Sequence, residues 1–157
     1  MKKKIKCSAC GRTAFEPATY SARRDMDGRR FTADVPARKC TSCGELLISG
    51  PALGAFERAI TLDLARGGEV GPEGFRWLRK AAGLKAMRLA ELLDVTPMQV
   101  SRWENARKPL ERRAVALVSA LALEQVDGKA ATRAVLEALA AGKKRPKSVR
   151  LDVNASG

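Results

Sequence analysis

The chain has 157 residues, with 30 Lys and Arg against 17 Asp and Glu, a formal net charge of +13 and no His. Without His, Ser-His-Asp and Cys-His catalysis and His-ligated zinc enzymes are excluded, and the excess positive charge favours an anionic partner, chiefly nucleic acid or an anionic membrane surface. Aromatic residues at 4% disfavour a large aromatic all-β core, and the longest apolar stretch, around Ala114–Leu123 and broken by Ser119, is too short to span a bilayer.

Met1–Lys6 is basic but no apolar segment follows, so it is not read as a secretory signal, and the cytoplasm is the expected compartment. Two copies of one pattern come next: Cys7-Ser8-Ala9-Cys10-Gly11 and Cys40-Thr41-Ser42-Cys43-Gly44. A C-x-x-C turn places two thiolates on one side. The Gly behind it accepts the positive φ that points backbone N–H groups at sulfur. Two disulfides, a rubredoxin-like iron site and a structural zinc site all satisfy the spacing. Zinc is preferred: no secretory signal supports disulfides. Lys2, Lys3, Lys4, Lys6, Arg38 and Lys39 crowd the ligands, and few aromatics are present to shield an iron centre. Cys7, Cys10, Cys40 and Cys43 would hold one structural Zn2+. Four sulfurs leave no open position for metal-assisted hydrolysis. The metal would also contribute folding free energy to a segment too short for its own core.

Between the cysteine pairs, Asp27-Gly28 signals a two-residue hairpin turn. Ala18–Ser21 and Phe31–Val35 form the arms, the second alternating apolar and polar, and Pro36 is expected to end it. Arg23, Arg24, Arg29 and Arg30 flank the turn. They suit either a solvated tip or a contact with phosphate or an acidic protein face. Leu53, Phe56, Ile60 and Leu64 then stripe one helix face, from Pro51 to Gly67-Gly68. Such a helix covers the metal module or packs between domains.

Residues 67–72 read as a linker. Beyond it, Glu73 to Val126 reads as four helices. Phe75, Leu78 and Ala82 stripe the first, which Gly83 ends. Ala86 to Leu93 is the second. Asp94 and Val95 turn the chain, Thr96 caps the third helix and Pro97 takes its first position. That helix runs to Asn105 and buries Val100 and Trp103. The fourth follows Pro109 and buries Leu117, Val118 and Leu121. Two short helices joined by a tight turn inside a bundle form a helix-turn-helix, in which the small Ala90 permits close approach.

With Val100 and Trp103 inward, Pro97, Met98, Ser101 and Arg102 face outward beside the cap Thr96. Arg102 can bond guanine O6 and N7, Met98 can touch a thymine methyl, and Gln99 can read adenine or bond phosphate. Lys85, Arg107 and Lys108 suit phosphate contacts. Asp127 is read as the cap of a fifth helix with Ala131, Val135 and Leu139 in its stripe and Gly142 at its end. Residues 143–157 read as a basic, disordered tail, although Val149, Leu151 and Val153 alternate and can pair as a strand on binding.

The segments Leu78–Leu84, Leu89–Thr96 and Val100–Asn105 resemble the Cro/C1-type (Xre) helix-turn-helix family. Joined to the doubled C-x-x-C-G module, with Glu45 after the second copy, the whole resembles the MqsA, or YgiT-type, antitoxin family over about residues 5–126. The resemblance implies a bacterial type II antitoxin acting as a dimer at the nucleoid. Its zinc module would block a small ribonuclease toxin, and its carboxy-terminal domain would bind a palindromic operator in its own promoter. Cys7, Cys10, Cys40 and Cys43 take the ligand positions and Arg102 that of the base-contacting arginine. The chain departs from the pattern at three positions. Met98 stands where the family has asparagine, and Ala86 where Xre domains carry Ser, Thr or Gln. Ala106 stands in place of Gly, which assigns the left-handed turn to Asn105.

The expected fold is therefore α+β: a small zinc-bound β-hairpin module followed by an all-α helix-turn-helix domain of about five helices. The expected division is 1–66 for the zinc module and connecting helix, 67–72 for the linker, 73–142 for DNA binding and dimerisation, and 143–157 for the tail. The expected function is non-enzymatic: a repressor that binds double-stranded DNA as a homodimer, and the antitoxin of a ribonuclease toxin. The alternatives are a stand-alone zinc-containing transcription factor and a redox- or metal-responsive regulator.

Overall fold

A computed structural model describes residues 5–128, 142, 144 and 146–154. The hairpin forms around Asp27 and Gly28, whose φ angles of 50° and 71° define the turn that matches strand twist. Strands β1 (Phe15–Met26) and β2 (Arg29–Cys40) pair antiparallel from Met26↔Arg29 to Phe15↔Cys40. The arms are longer than the sequence pattern suggests, and Pro36 does not end β2. Arg30 N–H donates to Lys147 and Thr32 C=O accepts from Leu151, so even-numbered residues of β2 direct their backbone groups away from β1. Pro36, lacking an N–H, therefore faces the gap between two short strands on that edge. These are β3 (Leu46–Ile48), antiparallel to residues 37–39 of β2, and β4 (Ser148–Arg150), parallel to Arg30–Thr32.

The strand β4 corrects the expected disordered tail. Residues 146–154 lie along β2, and Arg29 Nε donates to the Pro146 carbonyl at 3.2 Å. Val153 is buried, while Val149 and Leu151 pack against the core. The alternating apolar residues find an unpaired sheet edge beside Phe31, so the segment pairs within the chain.

One face of the sheet, formed by Ala22, Met26, Phe31, Ala33 and Val35, packs on helix α1 (Gly50–Gly67) through Phe56, Ile60 and Leu64. The other side of α1 meets the helical bundle: α2 (Pro72–Ala81), α3 (Ala86–Leu93), α4 (Pro97–Glu104) and α5 (Arg112–Asp127). Phe75, Leu78, Leu89, Val100, Trp103, Val118 and Leu123 continue the same apolar cluster. The N-terminal segment thus draws on a core far larger than it could build alone. Where a linker was expected, α1 and α2 are separated by residues 68–71 alone. The proposed fifth helix, with Ala131, Val135 and Leu139, lies outside the described residues. Asp127 belongs to α5, where its carboxylate pairs with Arg58 and Arg66.

Candidate metal centre and nucleic-acid interface

The hairpin ends opposite its turn at the four cysteines. The two knuckles share one backbone pattern: Gly11 N–H donates to Cys7 C=O and Gly44 N–H to Cys40 C=O, each at 2.9 Å. Gly11 and Gly44 have φ of 72° and 78°, as the sequence pattern requires. The sulfurs of Cys7, Cys10, Cys40 and Cys43 all lie within 4.8 Å of one another. Cys7–Cys43 and Cys10–Cys40 are 3.6 Å apart. A tetrahedral thiolate site with metal–sulfur bonds of about 2.3 Å has sulfur–sulfur edges near ~3.8 Å, so this quartet can hold one metal ion.

The electrostatics agree. The N–H groups of Ser42 and Cys43, followed by the Cys10 and Cys43 side chains, hold the Cys40 thiol down to about 6 against the effect of burial. The Glu45 amide lowers Cys43, but Cys10, burial, Cys7 and Cys40 outweigh it and push that thiol up to about 12. Thiolates this close repel one another, and a cation among them would offset that repulsion.

The arginines flanking the hairpin turn all have partners. Arg29 is buried and meets Asp63 at 2.6 Å. Arg24 lies over the Trp77 ring at 5.3 Å, and Arg23 and Arg30 share Asp25.

The helix-turn-helix is α3 and α4. Asp94, at φ 53°, closes α3, with Val95 N–H donating to Ala90 C=O at 3.0 Å. Ala90 is 1% exposed, which lets the helices approach. Thr96 caps α4 by accepting from Gln99 N–H at 3.2 Å, and Pro97 opens it. Val100 and Trp103 are buried. Pro97, Met98, Ser101 and Arg102 are exposed, as are Lys85, Thr96, Arg107 and Lys108. Gln99 is half-buried, with its amide 3.5 Å from Glu111. The apolar pattern of the second helix places Met87 with Ala90, Leu92 and Leu93 on its inner face, but Met87 and Leu92 are exposed on α3, as is Arg88, which the pattern does not mark.

After α4 the left-handed residue is Ala106 (φ 55°), and Asn105 has φ −110°. The expected assignment to Asn105 is therefore corrected. Arg107 N–H reaches back to Arg102 C=O at 2.8 Å and Ala106 N–H to Trp103 C=O. This turn requires positive φ one residue later than Asn105. Asn105 instead bonds Ser101 through its side-chain amide.

Two arginines of α2 grip the end of α4. Arg79 Nε and Nη2 meet the two Glu104 oxygens at 2.5 and 3.2 Å, both side chains being buried. Arg76 donates to Glu104 C=O at 3.0 Å and to Asn105 Oδ1 at 2.9 Å. Nothing in local spacing marks these pairs.

A family model described as a helix-turn-helix domain matches residues 74–146. No curated protein matches the chain. The match and the α2–α5 bundle support a DNA-binding regulator. Among the described residues, no helix is long and apolar enough to cross a membrane.

Proposed function

We propose that this chain is a sequence-specific transcriptional repressor that binds a palindromic operator as a homodimer. The carrying observation is the exposed outer face of α4, with Met98, Ser101 and Arg102 outward from a helix capped by Thr96 and anchored by Val100 and Trp103. Arg102 reads guanine, Met98 contacts a thymine methyl, and Lys85, Arg107 and Lys108 meet phosphates. Residues 73–142 supply DNA binding and dimerisation. Half-sites then lie about 34–36 Å apart, or a multiple of it. One structural Zn2+ on Cys7, Cys10, Cys40 and Cys43 organises residues 1–66; in this reading the protein has no catalytic role.

The finer reading is that the chain is the antitoxin of a type II pair, its zinc module blocking a small ribonuclease. The doubled knuckle ahead of an Xre-like domain supports it. A stand-alone regulator is favoured by one observation: basic residues outnumber acidic ones in residues 1–48. A ribonuclease that grips RNA is itself basic, so docking would oppose like charges.

The DNA reading is tested with a duplex selected by the protein from a random library. Arg102→Ala should lose discrimination at one base pair, by about 1–3 kcal/mol. An equal loss on selected and unselected DNA would refute that role. Purification from the native host separates the finer readings: a stoichiometric small ribonuclease marks an antitoxin, and a lone dimer a stand-alone repressor.

A further inference from the structure

The cap position before helix α2 is Gly71, which has no side chain with which to cap it. The cap comes from the hairpin turn instead. Asp27 Oδ2 accepts from Gly71 N–H at 3.1 Å and Gly74 N–H at 2.7 Å, and Oδ1 from Glu73 N–H at 3.0 Å. Glu73 answers by accepting from Asp27 N–H at 2.7 Å. This is a reciprocal capping arrangement built from two distant segments. The fit is close: a Cβ at Gly71 would stand 2.4 Å from Asp27 Cγ, and one at Gly74 2.8 Å from Oδ2. Both glycines are therefore needed for the carboxylate to enter. Arg24, over Trp77, is a second tie between the hairpin tip and α2.

The same helix carries Arg76 and Arg79, which hold Glu104 and Asn105 at the end of α4. Asn105 in turn bonds Ser101 on the outer side of α4. Helix α2 thus joins two sets of charged hydrogen bonds, one tying its first turn to the hairpin and one holding the end of α4. We propose that Asp27 is a positioning residue for DNA recognition: it fixes α2 and, through Arg76 and Arg79, sets the seating of α4. The inference rests on the DNA-binding reading above. Its consequence is that a partner engaging the hairpin tip changes DNA affinity without touching α4.

The test uses the full zinc-loaded chain. Asp27→Gly keeps the positive φ of the turn and removes the carboxylate. Asp27→Gly with Gly71→Ser goes further, because Ser at Gly71 caps α2 locally once Asp27 no longer fills that space. Asp27→Asn, which retains one acceptor, is the conservative variant. Two quantities are read: hydrogen exchange of the α4 amides, and affinity for a duplex selected from a random library by the wild-type chain, against an unselected duplex of equal length.

In the doubly substituted chain, α2 regains its protection. The α4 amides should still exchange about fivefold faster, and the selected duplex should bind about fivefold more weakly, because the local cap restores the helix but not its tie to the hairpin, a loss about the size of one hydrogen bond. Affinity for the unselected duplex should stay unchanged, and Asp27→Asn should recover part of both losses. If the local cap restores α4 protection and selective binding, Asp27 is only structural and the proposal is overturned. It is equally overturned if Asp27→Gly changes neither quantity, or weakens both duplexes alike. If the wild-type chain selects no duplex, the DNA reading fails, and the exchange measurement still decides the coupling.

Discussion

Replacing Arg79 by Met would break the buried ion pair that joins α2 to α4. The Arg79 and Glu104 side chains are 11% and 7% exposed. The guanidinium bonds both Glu104 oxygens and the Leu84 carbonyl, at 2.5, 3.2 and 2.7 Å. Removing one partner of such a pair costs about 3–5 kcal/mol, because the other charge is left buried. Arg79→Met should fall at the lower end, since Arg76 Nε remains 3.4 Å from Glu104. Glu104→Leu should cost more, because it strands the buried Arg79 and deprives Arg76 of a carboxylate. The double substitution leaves two apolar side chains facing each other and should recover to within about 1 kcal/mol of wild type. Urea unfolding followed by far-ultraviolet circular dichroism gives the three values. At about 2–4 °C per kcal/mol, the Arg79→Met melting temperature should drop by roughly 10 °C. A single-substitution cost under about 1 kcal/mol would refute the reasoning. So would a double variant no better than the worse single.

Ala106 holds a left-handed conformation at φ 55°, so Ala106→Gly should raise stability by about 1 kcal/mol in the same assay; a loss would mean the methyl group packs favourably. Elemental analysis of the purified chain should find one zinc per chain. Chelation, or Ser at any of the four cysteines, should release it and loosen the cysteine end of the sheet while the helical signal of α2–α5 persists; visible absorbance from iron would contradict the assignment. Ending the chain at residue 145 removes Val149, Leu151 and Val153 from the core and should cost about 2–4 kcal/mol. The Arg30 amide, bonded to Lys147 C=O, should then exchange rapidly, and unchanged exchange would disprove the pairing of β4.

The parts legible from sequence were those set by local chemistry. Doubled C-x-x-C-G spacing marks two identical knuckles whether or not the rest of the fold is known. Asp27-Gly28 demands a tight turn, and the Thr96-Pro97 pair opens a helix under its own geometry. The relations between segments were hidden. Asp27 reads as a turn residue because that role is local; its second role depends on Gly71 and Gly74 arriving beside it. Gly71 reads as linker for the same reason, since an uncapped glycine before Pro72 carries no sign of a distant carboxylate. The extent of β2 was missed because Pro36 is a strand breaker by default, and only the gap between β3 and β4 makes it harmless. The strand β4 was half legible: its alternation was visible, but the open sheet edge that it needs was not.

The electrostatics around α4 separate Arg102, Lys85, Arg107 and Lys108 from the arginines that hold the fold. Most arginines described above are already engaged: Arg23 and Arg30 with Asp25, Arg29 with Asp63, Arg79 with Glu104, and Arg88 with Glu91. To meet DNA, each would first lose an existing partner, and the gain would be the difference between two similar interactions. Among the described residues, the Arg102 side chain has no hydrogen bond or ion pair, and the same holds for Lys85, Arg107 and Lys108. Their contacts with DNA would displace water alone. Meanwhile the restraints on α4 act on its buried side and its last turn, through Val100, Trp103, Glu104 and Asn105. The helix is therefore held from behind while its one cation, Arg102, and the cations beside it stay uncommitted, an arrangement that favours binding a polyanion over stabilising the fold.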